Sequence, residues 1–163
     1  MDYSKVKSEL SNVIEGEIFD DEETLKKYSR DASLLEVRPS LVIWPKNKED
    51  IKKVVRFVSE NKIKNPELSV TVRAAGSCMS GGSLNESIIL DINKYLNSVS
   101  IDKEKKEATI EPGIFYRDFE VETLGRGLIL PCYTASKNLC ALGGMIGNNA
   151  AGEKTLQYGK MEN

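Results

Sequence analysis

The sequence predicts an α+β chain, and three observations predict it. Leu41-Val42-Ile43-Trp44 is a run of four apolar residues closed by Pro45, which suits a strand buried on both faces. A helix-period stripe and then another apolar strand follow it, the order of a parallel βαβ unit. Beyond residue 91 the pattern changes to two short segments around a charged turn, Asp102–Lys106, as in an antiparallel hairpin. A βαβ subdomain followed by the start of a mixed, antiparallel one is α+β rather than a doubly wound sheet.

Taken in order, Val6, Leu10, Val13 and Ile14 recur at helical spacing, so residues 1–14 read as an amphipathic helix. Glu17–Phe19 reads as a short strand and Glu22–Ser29 as a short helix, the acidic run Asp20–Glu23 forming its solvated start. After the Leu41 strand, Asn47 caps a helix, with Asp50 three residues on near its N-terminus. Ile51, Val54, Val55 and Val58 form that helix's apolar stripe, which ends near Asn61 and Lys62. Pro66 marks the loop before strand Val70–Val72, and Ile88–Leu90 is the strand after it. The hairpin strands are Val99–Ile101 and Ala108–Glu111, broken by Pro112-Gly113. Ile114–Leu124 reads as a helix through Ile114, Val121 and Leu124, ended by Gly125 and Gly127, with Leu128–Pro131 as a short apolar stop.

At 163 residues, with 40% hydrophobic and 29% charged residues, the chain is large enough for one core and has globular composition. A net charge of -2 offers no basic field for nucleic acid. The longest apolar runs are too short for a transmembrane segment, and Met1–Leu10 carries Asp2, Lys5, Lys7 and Glu9, unlike a signal peptide. Three cysteines make no disulfide framework and, lacking paired C-x-x-C spacing, no thiolate metal site; a reducing cytoplasm is the expected setting. The chain has no histidine, which excludes Ser-His-Asp and Cys-His nucleophiles, His-ligated zinc and a histidyl-linked cofactor.

Two glycine-rich stretches stand out. Between strands Val70–Val72 and Ile88–Leu90 lies a loop with Gly76, Gly81 and Gly82 among Ser77, Ser80 and Ser83. Such a loop is either a long turn or a nest of amide N–H groups suited to phosphate oxygens. Residues 131–160 then carry Gly143, Gly144, Gly147 and Gly152 among Ala150, Ala151 and Asn148-Asn149. These serve either a close backbone approach to something flat or bulky, or a glycine-rich helix packed on a strand. Known phosphate motifs fail: in G-N-N-A-A-G-E-K-T at 147–155, Glu153 stands where a P-loop has lysine, and G-x-G-x-x-G is absent. With Arg73, Lys137 and Lys154 as the few nearby cations, two backbone-rich loops suit an extended diphosphate held mostly by amides.

Four motifs in order now carry a resemblance, starting near Tyr28-Ser29-Arg30-Asp31. They are R-P-S-L-V-I-W-P-K-N-K-E-D-I at 38–51, R-A-A-G-S-C-M-S-G-G-S-L at 73–84, A-S-K-N-L-C-A-L-G-G-M-I-G-N-N-A-A-G at 135–152, and T-L-Q-Y-G at 155–159. The chain resembles the N-terminal part of FAD-linked oxidases with a p-cresol methylhydroxylase-type FAD-binding domain, in the glycolate oxidase and D-lactate dehydrogenase branch. The resemblance implies an N-terminal helical lead-in at 1–37 and a C-terminally incomplete FAD-binding domain at 38–163. It implies that Ala74, Ala75, Gly76, Ser77, Cys78, Met79 and Ser80 hold the FAD pyrophosphate, with Arg73 and Gly81 also cofactor-binding. It further implies that Ser136, Leu142, Gly143, Gly144, Gly147, Asn149 and Gly152 run along the cofactor. Thr134 and Ala141 depart from the branch, which often has proline and threonine there. Without histidine, non-covalent FAD is expected.

The implied activity is oxidation of a D-2-hydroxy acid to the 2-keto acid, with a separate electron acceptor and a substrate-binding cap beyond this chain. The chain is therefore expected to be a fragment or truncated product, inactive alone, with unknown catalytic residues. Asp91 and Tyr158 are expected to be structural. Three readings stay open: a dehydrogenase piece needing its other half, a stand-alone FAD- or nucleotide-binding module without turnover, and a partly folded remnant without ligand.

Overall fold

Four strands, each three or four residues long, form the first sheet of the computed structural model, which describes residues 2–162. They are β1 (Glu17–Phe19), β2 (Leu41–Trp44), β3 (Val70–Arg73) and β4 (Ile88–Asp91), in the spatial order β1-β2-β4-β3. β2, β4 and β3 run parallel, with Ile43 opposite Leu90 and Val72 opposite Leu90, while β1 is antiparallel to β2. The expected βαβ unit is present, but β4 is inserted between its two strands. Val42 and Ile89 face one side of the sheet; Leu41, Ile43, Ile88 and Leu90 face the other, and all six are fully buried. Burial on both faces is why these strands are continuous apolar runs rather than alternating ones.

Helices cover both faces. α1 (Tyr3–Ser11) and α3 (Lys48–Asn61) bring Val6, Leu10, Val54 and Val58 against the Leu41 face, and α2 (Glu22–Tyr28) brings Leu25 and Tyr28 against Val42 and Ile89. Each helix begins at a side-chain cap. Asp2 accepts from Ser4 N (3.0 Å), Asp21 from Thr24 N (2.9 Å), and Asn47 from Glu49 N and Asp50 N (2.9 and 3.0 Å). α1 is shorter than the expected 1–14: it stops at Ser11, so Ile14 is buried from the turn after it while Val13 is exposed. Val55, read as part of the α3 stripe, is also half-exposed, because the stripe facing the sheet is only wide enough for Val54 and Val58 with Ile51 at its edge.

The second half is built on its own core. β5 (Val99–Asp102) and β6 (Glu107–Ile110) form the expected antiparallel hairpin. α4 (Tyr116–Leu124), α5 (Leu142–Gly147) and α6 (Thr155–Tyr158) follow. Ile114, Tyr116, Phe119, Cys140, Leu142 and Met145 cluster, with Val99, Ile110, Leu130 and Tyr133 packed around them. The α4 expectation needs correcting. The helix starts at Tyr116, not Ile114, and it buries Tyr116, Phe119 and Thr123, leaving Val121 and Leu124 exposed. Three apolar residues had been assigned the inner face, but the bulk of two aromatic rings at i and i+3 decides the rotation.

Asp50 links the layers in a way no motif announced. Its carboxylate is fully buried and accepts from Glu15 N and Lys46 N, both at 2.9 Å, so it ties the loops after α1 and β2 to the start of α3. Removing it leaves two part-buried amides without their acceptor. Asp50→Ala is expected to lower the unfolding free energy by about 3 kcal/mol, measured by urea denaturation. A loss below about 1 kcal/mol would show that water replaces the carboxylate at little cost.

Candidate functional site

Parallel pairing of β3 with β4 decides what residues 74–87 do. A parallel neighbour cannot be reached by a tight turn, so the chain must travel from the end of one strand back to the start of the other. Here it does so without helix or strand, and irregular loops of this length are characteristically functional. Among the described residues, none of the backbone N–H groups of Ala74–Ser77 donates to another protein group. They remain available to an anion.

The loop's shape is held from outside by a strap, residues 28–37, closed at its base by Val37 N donating to Ser29 O at 2.9 Å. The Arg73 guanidinium donates to Arg30 O at 2.8 Å and to Tyr28 O at 3.4 Å, and lies 5.1 Å from the centre of the Tyr28 ring. Ala32 N donates to Gly76 O (3.1 Å), and Ser83 Oγ donates to Asp31 Oδ2 (3.0 Å). Gly76 has φ of +66°, and a Cβ there would sit 2.6 Å from the Arg73 guanidinium, so any other residue is strained in conformation and has to displace that guanidinium. Behind the strap, Trp44 Nε1 donates to Tyr28 Oη (2.9 Å), which donates to Asp91 Oδ2 (2.6 Å). Burial, aided by the Asp91 hydrogen bond and charge, pushes the Tyr28 phenol far above its usual range. The phenol is thus a neutral donor in a part-buried chain of hydrogen bonds.

The opposite wall is brought up by a short antiparallel crossing between the two halves of the second core. Tyr116 N donates to Cys140 O (3.0 Å), Leu142 N to Ile114 O (2.9 Å) and Gly143 N to Pro112 O (2.8 Å). Thus fixed, α5 lays Gly144 beside Ala74, a Cβ at Gly144 being 3.7 Å from the Ala74 methyl. The cleft between the walls has a volume of about 200 Å³, with Ala74–Cys78 and Ser83 on one side and Thr134, Ser136, Cys140 and Gly144 on the other. Small-molecule sites usually span about 300–1,000 Å³, so this cleft takes a segment of a dinucleotide rather than all of it. A diphosphate with its flanking carbons fits: the lining is small, rich in backbone, and free of carboxylates.

The expected site residues divide accordingly. Ala74, Ala75, Gly76, Ser77, Cys78, Ser136 and Gly144 meet at the cleft. Met79 and Ser80 lie on the exposed turn of the loop, and Gly81 lies under the Leu35 side chain. Leu142 is in the second core, and Gly143 packs against Pro112 with room for no Cβ. Gly152 is pressed onto the Tyr133 carbonyl, and Asn149 Oδ1 accepts from Glu162 N (3.2 Å). Gly147 meets nothing within 4 Å of where a Cβ would stand. Of the cations, Lys137 pairs with Glu120 (2.8 Å) and Lys154 lies 5.7 Å from the Tyr133 ring, leaving the cleft to amides and hydroxyls. Thr134, Cys140, Ala141, Asn148 and Ser83 also line it and were not among the expected residues. Thr134 and Ala141 were singled out only as departures, a signal that marked position without showing orientation. Ala141 is the N-cap of α5 and makes no side-chain cap bond.

Cys78 is one of two free thiols that line the cleft, the other being the buried Cys140. The Cys78 sulfur lies 3.0 Å from Ser80 Oγ and faces the amides of Ser80 and Gly82, which lower its pKa, the Ser80 hydroxyl contributing most. A second cavity, about 340 Å³, lies between the hairpin and the helices and is lined mainly by Ile101, Phe119, Leu130, Ile146 and their neighbours. Its polar lining residues are Lys106, Glu107 and Thr123. No helix among the described residues is long and apolar enough to cross a membrane.

Two layered halves closing backbone-rich walls on one anion-suited cleft define a flavin-dinucleotide-binding fold, that of the p-cresol methylhydroxylase-type FAD-binding domains. The chain belongs to the FAD binding domain family, whose description matches residues 39–163. Its cofactor is FAD. Glycolate oxidase subunit GlcD of Bacillus subtilis is 30% identical over 158 residues, covering 94% of this chain and 33% of that protein. D-2-hydroxyglutarate dehydrogenase of Pantoea ananatis is 29% identical over 133 residues, covering 81% of this chain and 13% of that one. The chain thus spans a third or less of these relatives. A solved alkyldihydroxyacetonephosphate synthase superposes with a TM-score of 0.80 at 20% identity, over 99% of this chain and 32% of that one, a likeness of fold.

The glycines of the second stretch separate by experiment. Gly152→Ala is expected to cost more than about 3 kcal/mol, because the new methyl overlaps the Tyr133 carbonyl. Gly147→Ala is expected to leave the fold unharmed or gain up to about 1 kcal/mol, since nothing opposes its Cβ. Thermal unfolding of both variants, followed by circular dichroism, checks the contrast; equal effects would mean that neither glycine is there for packing.

Proposed function

We propose that this chain is the cofactor-holding portion of a flavin-dependent dehydrogenase or oxidase that converts a D-2-hydroxy acid of the D-lactate or glycolate type to the 2-keto acid. The observation that carries this reading is the meeting of the two glycine-rich stretches, distant in sequence, at one carboxylate-free cleft. The FAD pyrophosphate would lie between the amides of Ala74–Ser77 and that of Gly144, with the Ser77, Thr134 and Ser136 hydroxyls as further donors. Bound FAD would supply the hydride acceptor, its electrons passing on to a separate acceptor. The protein's contribution here is to hold and orient it: Arg73 and the strap keep the loop open, and the Ile114–Leu142 crossing sets the width of the cleft. The chain contains no histidine, so a histidine base for the hydroxy acid would have to come from other parts of such an enzyme. The names of the two relatives support a 2-hydroxy acid substrate. Three cysteines that form no disulfide framework favour a cytoplasmic setting.

A second reading, an FAD- or nucleotide-binding module without turnover, is favoured by the same cleft together with the lack of an acid–base pair in it. Titration with FAD, followed by quenching of flavin fluorescence, tests what both share. Gly144→Asp places a carboxylate in the cleft where a side chain meets only the Ala74 methyl, and Gly144→Asn is its neutral counterpart. Saturable binding by the wild-type chain, weakened about a hundredfold by Asp and much less by Asn, is expected. Undiminished affinity in the Asp variant would remove the diphosphate from this cleft.

A further inference from the structure

We propose that Asp31, on the strap, is a positioning residue for the cofactor cleft: its carboxylate holds Ser83, and through it the far limb of the glycine-rich loop, in the shape that turns the loop's amides inward. This rests on the reading that FAD binds between the two glycine-rich walls. The near limb of the loop is already fixed by Arg73 and by the Ala32–Gly76 hydrogen bond. The far limb, residues 78–83, has few other anchors. Leu84 N donates to Gly81 O (3.1 Å) within the loop itself, while Met79 and Ser80 are exposed. Ser83 is buried, and its hydroxyl reaches across to Asp31 Oδ2 at 3.0 Å. Asp31 is fixed in turn, its other oxygen accepting from Ser33 N at 2.8 Å. A carboxylate that accepts from both strap and loop locks the two together, and hydrogen bonds to an ionised group are the stronger kind.

The charges around Asp31 suit this role. Arg73 is the cation whose field reaches it, whereas Arg30 is paired with Glu36. The titratable group facing it from the loop is the Cys78 thiol. Burial raises the Asp31 pKa, but the Ser33 and Ser83 hydrogen bonds and Arg73 outweigh it, so the carboxyl titrates below its usual range and stays ionised near neutral pH.

Cys78 makes the proposal testable without cofactor, because its sulfur reads the loop's shape. The Ser80 hydroxyl and the amides at Ser80 and Gly82 lower its pKa, whereas the negative charge of Asp31 raises it. The two possible roles of Asp31 therefore move the thiol in opposite directions. If Asp31 is merely a neighbouring charge, Asp31→Ala lowers the Cys78 midpoint. If it positions the loop, Asp31→Ala lets the amides drift from the sulfur and the midpoint rises toward the ordinary thiol value of about 8.5. The experiment is iodoacetamide labelling of the full chain across pH, with Cys78 followed by peptide mass spectrometry, in the wild type, Asp31→Ala, Ser83→Ala and the double variant. An upward shift in both single variants, with no further shift in the double, is the expected result. A midpoint that falls or stays in Asp31→Ala overturns the proposal. Ser83→Ala changes no charge and deletes one oxygen, so it decides the matter if Asp31→Ala fails to fold: an unmoved midpoint there also overturns it. In parallel, FAD affinity should fall about tenfold in each variant. Wild-type protein that binds no FAD would remove the cofactor from this account, while the thiol titration would still decide whether Asp31 shapes the loop.

Discussion

Parallel pairing of β3 against β4 is the constraint on which the rest of the structure depends. Two parallel strands adjacent in the sheet and consecutive in the chain must be joined by a connection that doubles back. In most proteins a helix makes that journey and satisfies its own backbone on the way. Here glycine, alanine and serine make it as irregular chain, so amides are left with no partner in the fold. That deficit would be costly in a buried loop. It is tolerable at the mouth of a cleft, where an anion or water takes the place of the missing acceptors.

Such a loop also has to be held in shape: its last residues, Asn85 to Ser87, bond to Ser69, Thr71 and Ser40, and its glycine-rich part is held from one segment. Strap residues 28–37 accept Arg73 through two carbonyls, donate to Gly76 O and accept Ser83 through Asp31. The strap is in turn pinned to the sheet by the Trp44–Tyr28–Asp91 chain of hydrogen bonds. Rigidity therefore runs from the ends of β2 and β4, through the buried Tyr28, to the loop. The opposite wall owes its position to backbone bonding between residues 112–116 and 140–143, where glycine at 143 permits the approach to Pro112. A binding surface made of backbone is well suited to an extended diphosphate, because amide N–H groups have no rotamers to freeze and no charge to desolvate.

How much of this was legible in the sequence can be judged element by element. The strands at 17–19, 41–44, 70–72 and 88–90, the hairpin, and the cap at Asn47 all follow from local chemistry, while the structure carries the third and fourth strands one residue further and adds a cap at Asp21. Where local chemistry was ambiguous, bulk prevailed: α4 rotates to bury Tyr116 and Phe119 rather than Val121 and Leu124. In the second glycine-rich stretch, composition announced close approach without saying to what. Gly143 and Gly152 approach the protein's own carbonyls, while Gly144 borders the cleft and Gly147 stands clear.

By itself, then, the sequence determined the class of the chain, the order of its elements, the absence of histidine chemistry and the two glycine-rich stretches that its motifs share with FAD-linked oxidases. Those properties are written in period, propensity and spacing, which act over a few residues. Only the tertiary structure decided that β4 lies between β2 and β3, that Asp50 and Asp31 tie distant segments together, and that the two stretches face each other across one cleft. These depend on which backbone groups distant segments satisfy for one another, and that is settled only when both faces of the sheet and the second core are packed at once.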